Sequence, residues 1–235
     1  MIEAVIICGG MGTRLKSLVP DTQKVVAKVQ GRPFIFFIID ELVKQKIDKF
    51  VLCLGYKSED VISLIEEEYA NKNVTIDYSV EAYPLGTGGA INLAQTHCTG
   101  DDILVLNGDT FNSFSIQSFL SFHKYEKNKV SMLVKSVAYV SRYGSVILDS
   151  ENNVTSFLEK DTTSVASGLI NVGAYILSKE ILGICNKDVF SLEKDLLPKV
   201  IGKGFKALQS NGTFIDIGVP EDFQKANKIQ LETKL

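Results

Sequence analysis

The sequence predicts a single α/β domain over residues 1–235, a Rossmann-like, three-layer α/β/α arrangement around a mostly parallel, mixed sheet. Three observations predict it. Short apolar runs alternate with helical patterns through the first half. Two of those runs stop at Gly-Gly or Asn-Gly-Asp. Hydrophobic residues make up 45% and charged residues 23%, the balance of an ordinary globular protein whose size buries a core without disulfides or structural metal.

Glu3–Cys8 is a continuous apolar run ending in glycines, as a strand buried on both faces does. Pro33–Lys46 contains the unbroken stretch Phe34–Ile39. Its length, the early proline and the polar Asp40, Glu41, Lys44 and Gln45 favour a mostly buried helix. Lys49–Leu54 is a second strand. Ser58 with Glu59 and Asp60 reads as a hydroxyl cap followed by acids that suit the dipole, opening a helix to about Tyr69. Val74–Ser79 is a strand, Gly88–His97 a helix, and Asp102–Leu106 a strand that stops at Asn107-Gly108-Asp109. Right-handed crossovers then put the strand C-terminal ends, and any ligand, along one edge. The second half is less regular. Gly144–Leu148, Val154–Glu159 and Ile170–Leu177 read as mixed or antiparallel strands added to the same sheet, with helices at Lys179–Ile184, Leu192–Ile201 and Pro220–Gln230.

A net charge of −3 argues against nucleic acid as a partner, although a pocket for one triphosphate needs only a few cations. Cys8, Cys53, Cys98 and Cys185 are far apart, with no C-x-x-C pair, and read as reduced core thiols. The first residues lack a basic leader, and no apolar run approaches the ~20 residues of a membrane helix. A cytoplasmic location is expected.

The motifs follow the strand ends. Cys8-Gly9-Gly10-Met11-Gly12-Thr13-Arg14-Leu15 offers backbone N–H groups that can approach phosphate, with Arg14 as a forked cation. It is neither a dinucleotide fingerprint, since Leu15 replaces the third glycine, nor a Lys-Ser/Thr phosphate loop. Lys24 and Lys28, each taken singly, read as solvated lysines. Between a strand and a helix, Glu81-Ala82-Tyr83-Pro84-Leu85-Gly86-Thr87-Gly88-Gly89-Ala90 makes a second surface against which a flat base can lie, with Glu81 as acceptor; an awkward turn is the alternative. Asp109 leaves a strand where ligands bind in such sheets, and near a triphosphate it would hold Mg²⁺. Asp216, between Ile215 and Ile217, needs a cation, a donor or water, and Asp109 and Asp216 could share one ion. In Phe157-Leu158-Glu159-Lys160, Glu159 can accept from sugar hydroxyls and Lys160 can neutralise phosphate, or the two form a surface pair.

In this order the motifs resemble the sugar-nucleotidyltransferase family, the nucleotide-sugar pyrophosphorylases. Its Gly-Gly-x-Gly-Thr-Arg-Leu opening stands as Gly9–Leu15, and its Leu-Gly-Thr-Gly-Gly-Ala segment as Leu85–Ala90. Asn-Gly-Asp stands as Asn107–Asp109, Phe-x-Glu-Lys as Phe157–Lys160, and Asp-Ile-Gly-x-Pro-Glu-Asp as Asp216–Asp222. The resemblance spans nearly the whole chain. It implies the nucleotide-diphospho-sugar transferase type of fold and joining of a sugar 1-phosphate to a nucleoside triphosphate, with release of pyrophosphate. It implies Asp109 and Asp216 as Mg²⁺ ligands, and Arg14 and Lys24 on the triphosphate. Gly9, Gly10, Gly12, Thr13, Glu81, Leu85, Gly86, Thr87 and Gly108 would surround the nucleotide. Gly144, Glu159, Lys160 and Asn171 would meet the sugar phosphate.

Two departures stand out. The family's Pro-Lys-Pro-x-x-Pro frame is Gln23-Lys24-Val25-Val26-Ala27-Lys28 here, without its prolines, so a more mobile loop is expected; Lys28 is a second phosphate contact or is solvated. Phe214 stands where tryptophan is common. Within the family the chain looks most like the bacterial heptose 1-phosphate guanylyltransferases, which implies GTP as the donor and GDP-D-glycero-α-D-manno-heptose for capsule or surface glycans. Mannose 1-phosphate guanylyltransferase, N-acetylmuramate 1-phosphate uridylyltransferase and a non-catalytic nucleotide-binding regulator remain alternatives. Exposed apolar surface could support a homodimer.

Overall fold

A computed structural model describes residues 2–10, 23–140, 143–158, 167–218 and 220–228. In chain order the elements are β1 (Glu3–Ile7), β2 (Lys28–Val29), β3 (Arg32–Pro33), α1 (Phe34–Lys44), β4 (Lys49–Leu54), α2 (Ser58–Tyr69) and β5 (Thr75–Val80). Then come α3 (Gly86–Ala94), β6 (Asp102–Asn107), β7 (Thr110–Asn112), α4 (Ile116–Tyr125), β8 (Val130–Val137), β9 (Ser145–Leu148), β10 (Val154–Leu158) and β11 (Gly168–Ser178). The last are α5 (Leu197–Val200), β12 (Phe205–Gln209), β13 (Phe214–Asp216) and α6 (Pro220–Ala226).

The main sheet runs β10-β9-β11-β6-β1-β4-β5, with β8 on the other side of β11 and β12 beside β8. β6, β1, β4 and β5 are parallel, while β8, β9 and β10 join through antiparallel pairs. The sheet is therefore mixed, and parallel through β6, β1, β4 and β5. Strand residues alternate between two cores. Ala4, Ile6, Phe50, Leu52, Leu104 and Leu106 pack with α1, α2 and α4, whereas Val5, Val51, Ile103 and Val105 pack with α3 and the segment before β12. This alternation makes the three layers. α1 is nearly encircled by apolar contacts. Its buried Asp40 is held by Arg32, at 2.6 Å, and by the Tyr69 hydroxyl, at 2.8 Å, so the charge is compensated.

The expected elements of the first half are present with ends shifted by a few residues. Ser58 is not a cap: Lys57, in a left-handed conformation (φ 55°), precedes the helix and no side chain caps it. Gly88–His97 is the α-helix α3, begun two residues earlier, continued by a 3₁₀ turn at Gln95–His97. Lys179–Ile184 is a 3₁₀ helix, and Leu192–Ile201 becomes a π turn, Leu192–Leu196, running into α5. α4, β8 and β12 carry no motif or long unbroken apolar run, although Ser115 caps α4 by accepting from Ser118 N–H. Glu159 and Gln230, the expected ends of a strand and a helix, lie outside the described residues. The four cysteines are free and buried. No helix among the described residues is long and apolar enough to cross a membrane.

α4 carries a buried histidine onto β8. His123 Nδ1 lies 2.9 Å from Ser131 Oγ, and Nε2 lies 3.6 Å from Asp102 Oδ1. Burial pushes its pKa below the ordinary 6.5, against an opposing pull from Asp102. The unfolded chain therefore binds this proton more readily, and stability is lost as pH falls from 6.5 through the folded value. Glu3 is held below its ordinary 4.5, since N–H donors at Thr99 and Gly100 and the Lys49 ammonium outweigh its burial; its contribution fades only at lower pH. Thermal melting between pH 7 and 5 should show a stability slope of at most about 1.4 kcal/mol per pH unit from this single proton. His123→Asn should flatten that slope, and an unchanged slope would remove His123 as its source.

Candidate active site

The parallel strands end together along one edge. In the order β6-β1-β4-β5 they deliver Asp109, Gly9–Gly10, Gly55 and Glu81. The ladder continues one residue past the strands: Cys8 N–H donates to Cys53 C=O, Gly108 N–H to Ile7 C=O and Glu81 N–H to Leu54 C=O, each at 2.9 Å. The side chains after these bonds are thereby held by backbone.

At the β6 end, β13 pairs antiparallel with β7 and sets Asp216 opposite Thr110. Ile217 N–H donates to Asp109 C=O at 3.0 Å, which places the two aspartates beside each other on neighbouring chains. Thr110 Oγ1 donates to Asp109 Oδ1 at 3.1 Å, and Gly218 N–H to Asp216 Oδ1 at 2.6 Å. The Lys24 ammonium ion-pairs with Asp109 Oδ2. A Cβ on Gly218 would lie 2.6 Å from Asp216 Oδ1 and 3.0 Å from Lys24 Nζ, so the missing side chain leaves the room in which the three groups meet.

Lys24 opens a 3₁₀ turn, Lys24–Val26, whose neighbours Gln23, Val25, Val26 and Ala27 are all buried. The Gln23 side-chain amide donates to Tyr56 C=O. Apolar burial and that bond hold the lysine in a segment that has no proline. Lys28 is exposed in β2 and makes no ion pair among the described residues.

At the β5 end, Glu81 Oε2 accepts from Leu85 N–H at 3.0 Å. Its Oε1 lies over the neighbouring strand ends, where a Cβ on Gly55 or Gly9 would come within 2.7 or 3.2 Å. Those two glycines let the carboxylate lie flat against the edge. The next glycines face the other way. A Cβ on Gly88 would sit 2.2 Å from the Phe190 ring, one on Gly89 2.2 Å from Asp188 C=O, and one on Gly86 2.6 Å from Phe190 C=O. Gly88 and Gly89 N–H both donate to Phe190 C=O, and Phe190 N–H donates to Leu85 C=O. Close approach here is made by residues 188–190 of the same chain, and Gly108 similarly admits Ile7 C=O and Cys8 Sγ.

A cleft of about 220 Å³ opens beside Asp216. Asn107, Gly144, Phe157, Asn171 and Glu193 are on its walls. Gly144 C=O accepts from Asn171 N–H at 3.2 Å. Asn171 Nδ2 donates to Tyr175 OH at 2.5 Å, while its Oδ1 accepts from Gly173 N–H at 3.0 Å, so its amide is fixed in orientation. Gly173, at φ 71°, stands where a Cβ would strike the Asn107 side chain. Burial raises the Tyr175 pKa, and the Glu193 carboxylate adds to the rise, so the phenol keeps its proton. A larger cleft of about 600 Å³, between Ile2, Lys46 and Leu120, lies at the opposite ends of the strands and contains none of the motif residues.

The structure thus brings Lys24, Asp109 and Asp216 together, sets Gly144 and Asn171 in the adjoining cleft, and puts Gly9 and Glu81 at the far end. Gly12, Thr13, Arg14, Glu159 and Lys160 lie outside the described residues. Sequence reasoning missed Gly55, Tyr143, Glu193 and Lys194, and quoted Asn107 only as part of a motif, without a role of its own. Gly55 closes a strand as Gly9 does. Ser191, three residues before Lys194, is a legible hydroxyl cap that accepts from Lys194 N–H.

The chain matches the nucleotidyl transferase family over residues 3–233. It is 38% identical over 232 residues to the D-glycero-alpha-D-manno-heptose 1-phosphate guanylyltransferase of Aneurinibacillus thermoaerophilus, covering 97% of each chain. It is 39% identical over 223 residues to the Campylobacter jejuni protein of the same name, covering 94% of this chain and 97% of the relative. Among solved structures, HddC from Yersinia pseudotuberculosis complexed with GMP-PN is 37% identical, with a TM-score of 0.87 over 97% of this chain and 99% of that one.

The glycine cradle around Phe190 is testable by itself. Gly88→Ala should overpack the ring and cost about 1–3 kcal/mol, lowering Tm by several degrees in a calorimetric scan. A melting temperature equal to that of the unaltered protein would show that the 188–190 segment moves aside at no cost.

Proposed function

Because the chain belongs to the nucleotidyl transferase family, we propose that it transfers the guanylyl group of GTP to D-glycero-α-D-manno-heptose 1-phosphate, releasing pyrophosphate. The observation that carries this reading is the β7–β13 pairing, which sets two carboxylates and the Lys24 ammonium at the open end of a parallel sheet. The heptose and guanine are supported by two relatives of that activity at nearly full length.

The reaction is an in-line displacement. An oxygen of the sugar phosphate attacks the α-phosphorus of GTP, a new P–O bond forms, and the bond to the β-phosphate breaks. Pyrophosphate leaves with the bond electrons. The two substrates are polyanions that repel each other, so catalysis consists chiefly of holding them aligned and offsetting their charge. Lys24 neutralises the triphosphate, released from Asp109 as the phosphates arrive; Arg14 acts with it, and Gly10, Gly12 and Thr13 donate to phosphate. Asp109 and Asp216 suit Mg²⁺, which uses one or two carboxylates and otherwise takes phosphate oxygens and water. When bound, that ion would offset charge on the reacting phosphates. Glu81 Oε1, facing Gly9 and Gly55, is an acceptor suited to the guanine N1–H and N2–H₂ donors. Leu85 and Gly86 flank the base. The 220 Å³ cleft takes the sugar against Gly144 and Asn171, with Glu159 on its hydroxyls and Lys160 on its phosphate. Four free, buried cysteines accord with a reducing, cytoplasmic setting.

Pyrophosphate release measured with magnesium, for five nucleoside triphosphates against heptose, mannose, glucose and N-acetylmuramate 1-phosphates, tests the reading. Release is expected with GTP and the heptose. Preference for mannose would keep guanylyl transfer and change the sugar, while silence in every pair would reject turnover. Asp109→Asn and Asp216→Asn should each lower kcat roughly 100-fold or more with little change in melting. Near-normal turnover in either would exclude the shared carboxylate site.

A further inference from the structure

The segment that the glycines of α3 admit ends in a carboxylate that no motif predicted. Phe190 in its cradle fixes where residue 191 begins, and Leu192 N–H donates to Thr87 Oγ1 at 2.8 Å. Ser191 then opens the π turn Leu192–Leu196, a geometry common near functional sites. Glu193, on its first turn, faces the cleft. Its Oε2 accepts from Thr87 Oγ1 at 2.8 Å and from Ser191 Oγ at 3.0 Å. Among the described residues its Oε1 has only the Tyr175 hydroxyl, at 3.5 Å.

A carboxylate has about four acceptor positions. Two hydroxyls occupy Oε2 and lock the group's orientation, which leaves Oε1 with unused acceptor capacity inside a cleft of about 220 Å³. The same cleft presents Asn171, whose amide is already engaged at Tyr175 and Gly173. A polyhydroxylated ring brings several O–H donors, and an anchored, acceptor-only group is a partner suited to them. We propose that Glu193 is a sugar-specificity residue: its Oε1 accepts a hydrogen bond from a ring or side-chain hydroxyl of the sugar 1-phosphate, and Thr87 and Ser191 hold it in place. This rests on the sugar-nucleotidyl transfer proposed above. It also gives the Gly86–Gly89 segment a task at the sugar, since the socket that holds Phe190 fixes where the turn bearing Glu193 begins.

Steady-state kinetics of pyrophosphate release separate contact from scaffolding. With GTP saturating, Glu193→Gln should raise the KM for the heptose 1-phosphate roughly ten- to a hundred-fold while the KM for GTP stays within about twofold. Single-deoxy analogues of the sugar phosphate identify the hydroxyl. In the unaltered protein one analogue should lose a comparable factor in kcat/KM, and that same analogue should lose almost nothing further in Glu193→Gln. The analogue series on the unaltered protein needs no folded variant. Losses that add independently for every analogue, or equal rises in both KM values, would mean that Glu193 merely supports Asn171 through Tyr175, and would overturn the contact. An unaltered sugar KM in Glu193→Gln would overturn it as well. If the unaltered protein released no pyrophosphate with any sugar 1-phosphate, the function itself would fall and this inference with it.

Discussion

Three residues of β13, bonded antiparallel to β7, hold the charged end of the site together. Neither strand belongs to the main sheet, and each is only three residues long. Their pairing joins the segment after β6 to a segment near the end of the chain, a closure that costs conformational entropy and is offset by burial of Phe111, Ile215 and Ile217. Asp109 and Asp216 need the apolar residues beside them more than they need each other. Two carboxylates set side by side repel, and the Lys24 ammonium, paired with Asp109, relieves part of that repulsion.

The remainder of the site follows from the geometry of parallel strands. Four neighbouring strands end at the same level, so residues distant in sequence line one edge. The edge is graded. Acids and the lysine lie at β6, bare backbone at β1 and β4, and a single acceptor, Glu81, at β5. A triphosphate with its base is a long ligand of similar grading, charged at one end and flat at the other. The cleft beside Asp216 departs from this logic, being walled by β11 where its register with β8 shifts between Asn171 and Tyr175. At that shift the neighbour of β11 changes from β6 to β9, which splays the strands and opens space.

Glycines in this chain divide into two kinds with one physical cause. Gly9, Gly55 and Gly218 keep the edge low where charged side chains lie across it. Gly86, Gly88, Gly89 and Gly108 admit other backbone or ring atoms of the same chain. From sequence the two kinds look alike, because both mean only that a Cβ would collide with something. The surface read from Leu85–Ala90 as a resting place for a base is, at Gly86–Gly89, largely a socket for Phe190.

Local pattern sufficed for much of the fold. The unbroken apolar runs of β1, β4 and β6 and the long helices α1 and α2 are visible because burial on both faces, or on one wide face, leaves a continuous mark in the residues themselves. The order of Gly9–Gly10, Glu81, Asp109 and Asp216 along the chain likewise named the residues that line the edge. Short or half-exposed elements left weaker marks: β12 alternates over five residues, and β7 and β13 are only three residues long. Ser58 resembles a cap by composition, yet a lysine in left-handed conformation starts that helix. The sequence by itself determined which residue types stand at the strand exits and so the class of chemistry. Only the tertiary structure decided which of them meet, that Asp216 returns to Asp109, that Gly88 faces Phe190, and that Glu193 lines the cleft beside Asp216. The reason is that such contacts are set by strand pairing and packing between segments a hundred residues apart or so, which no local period records.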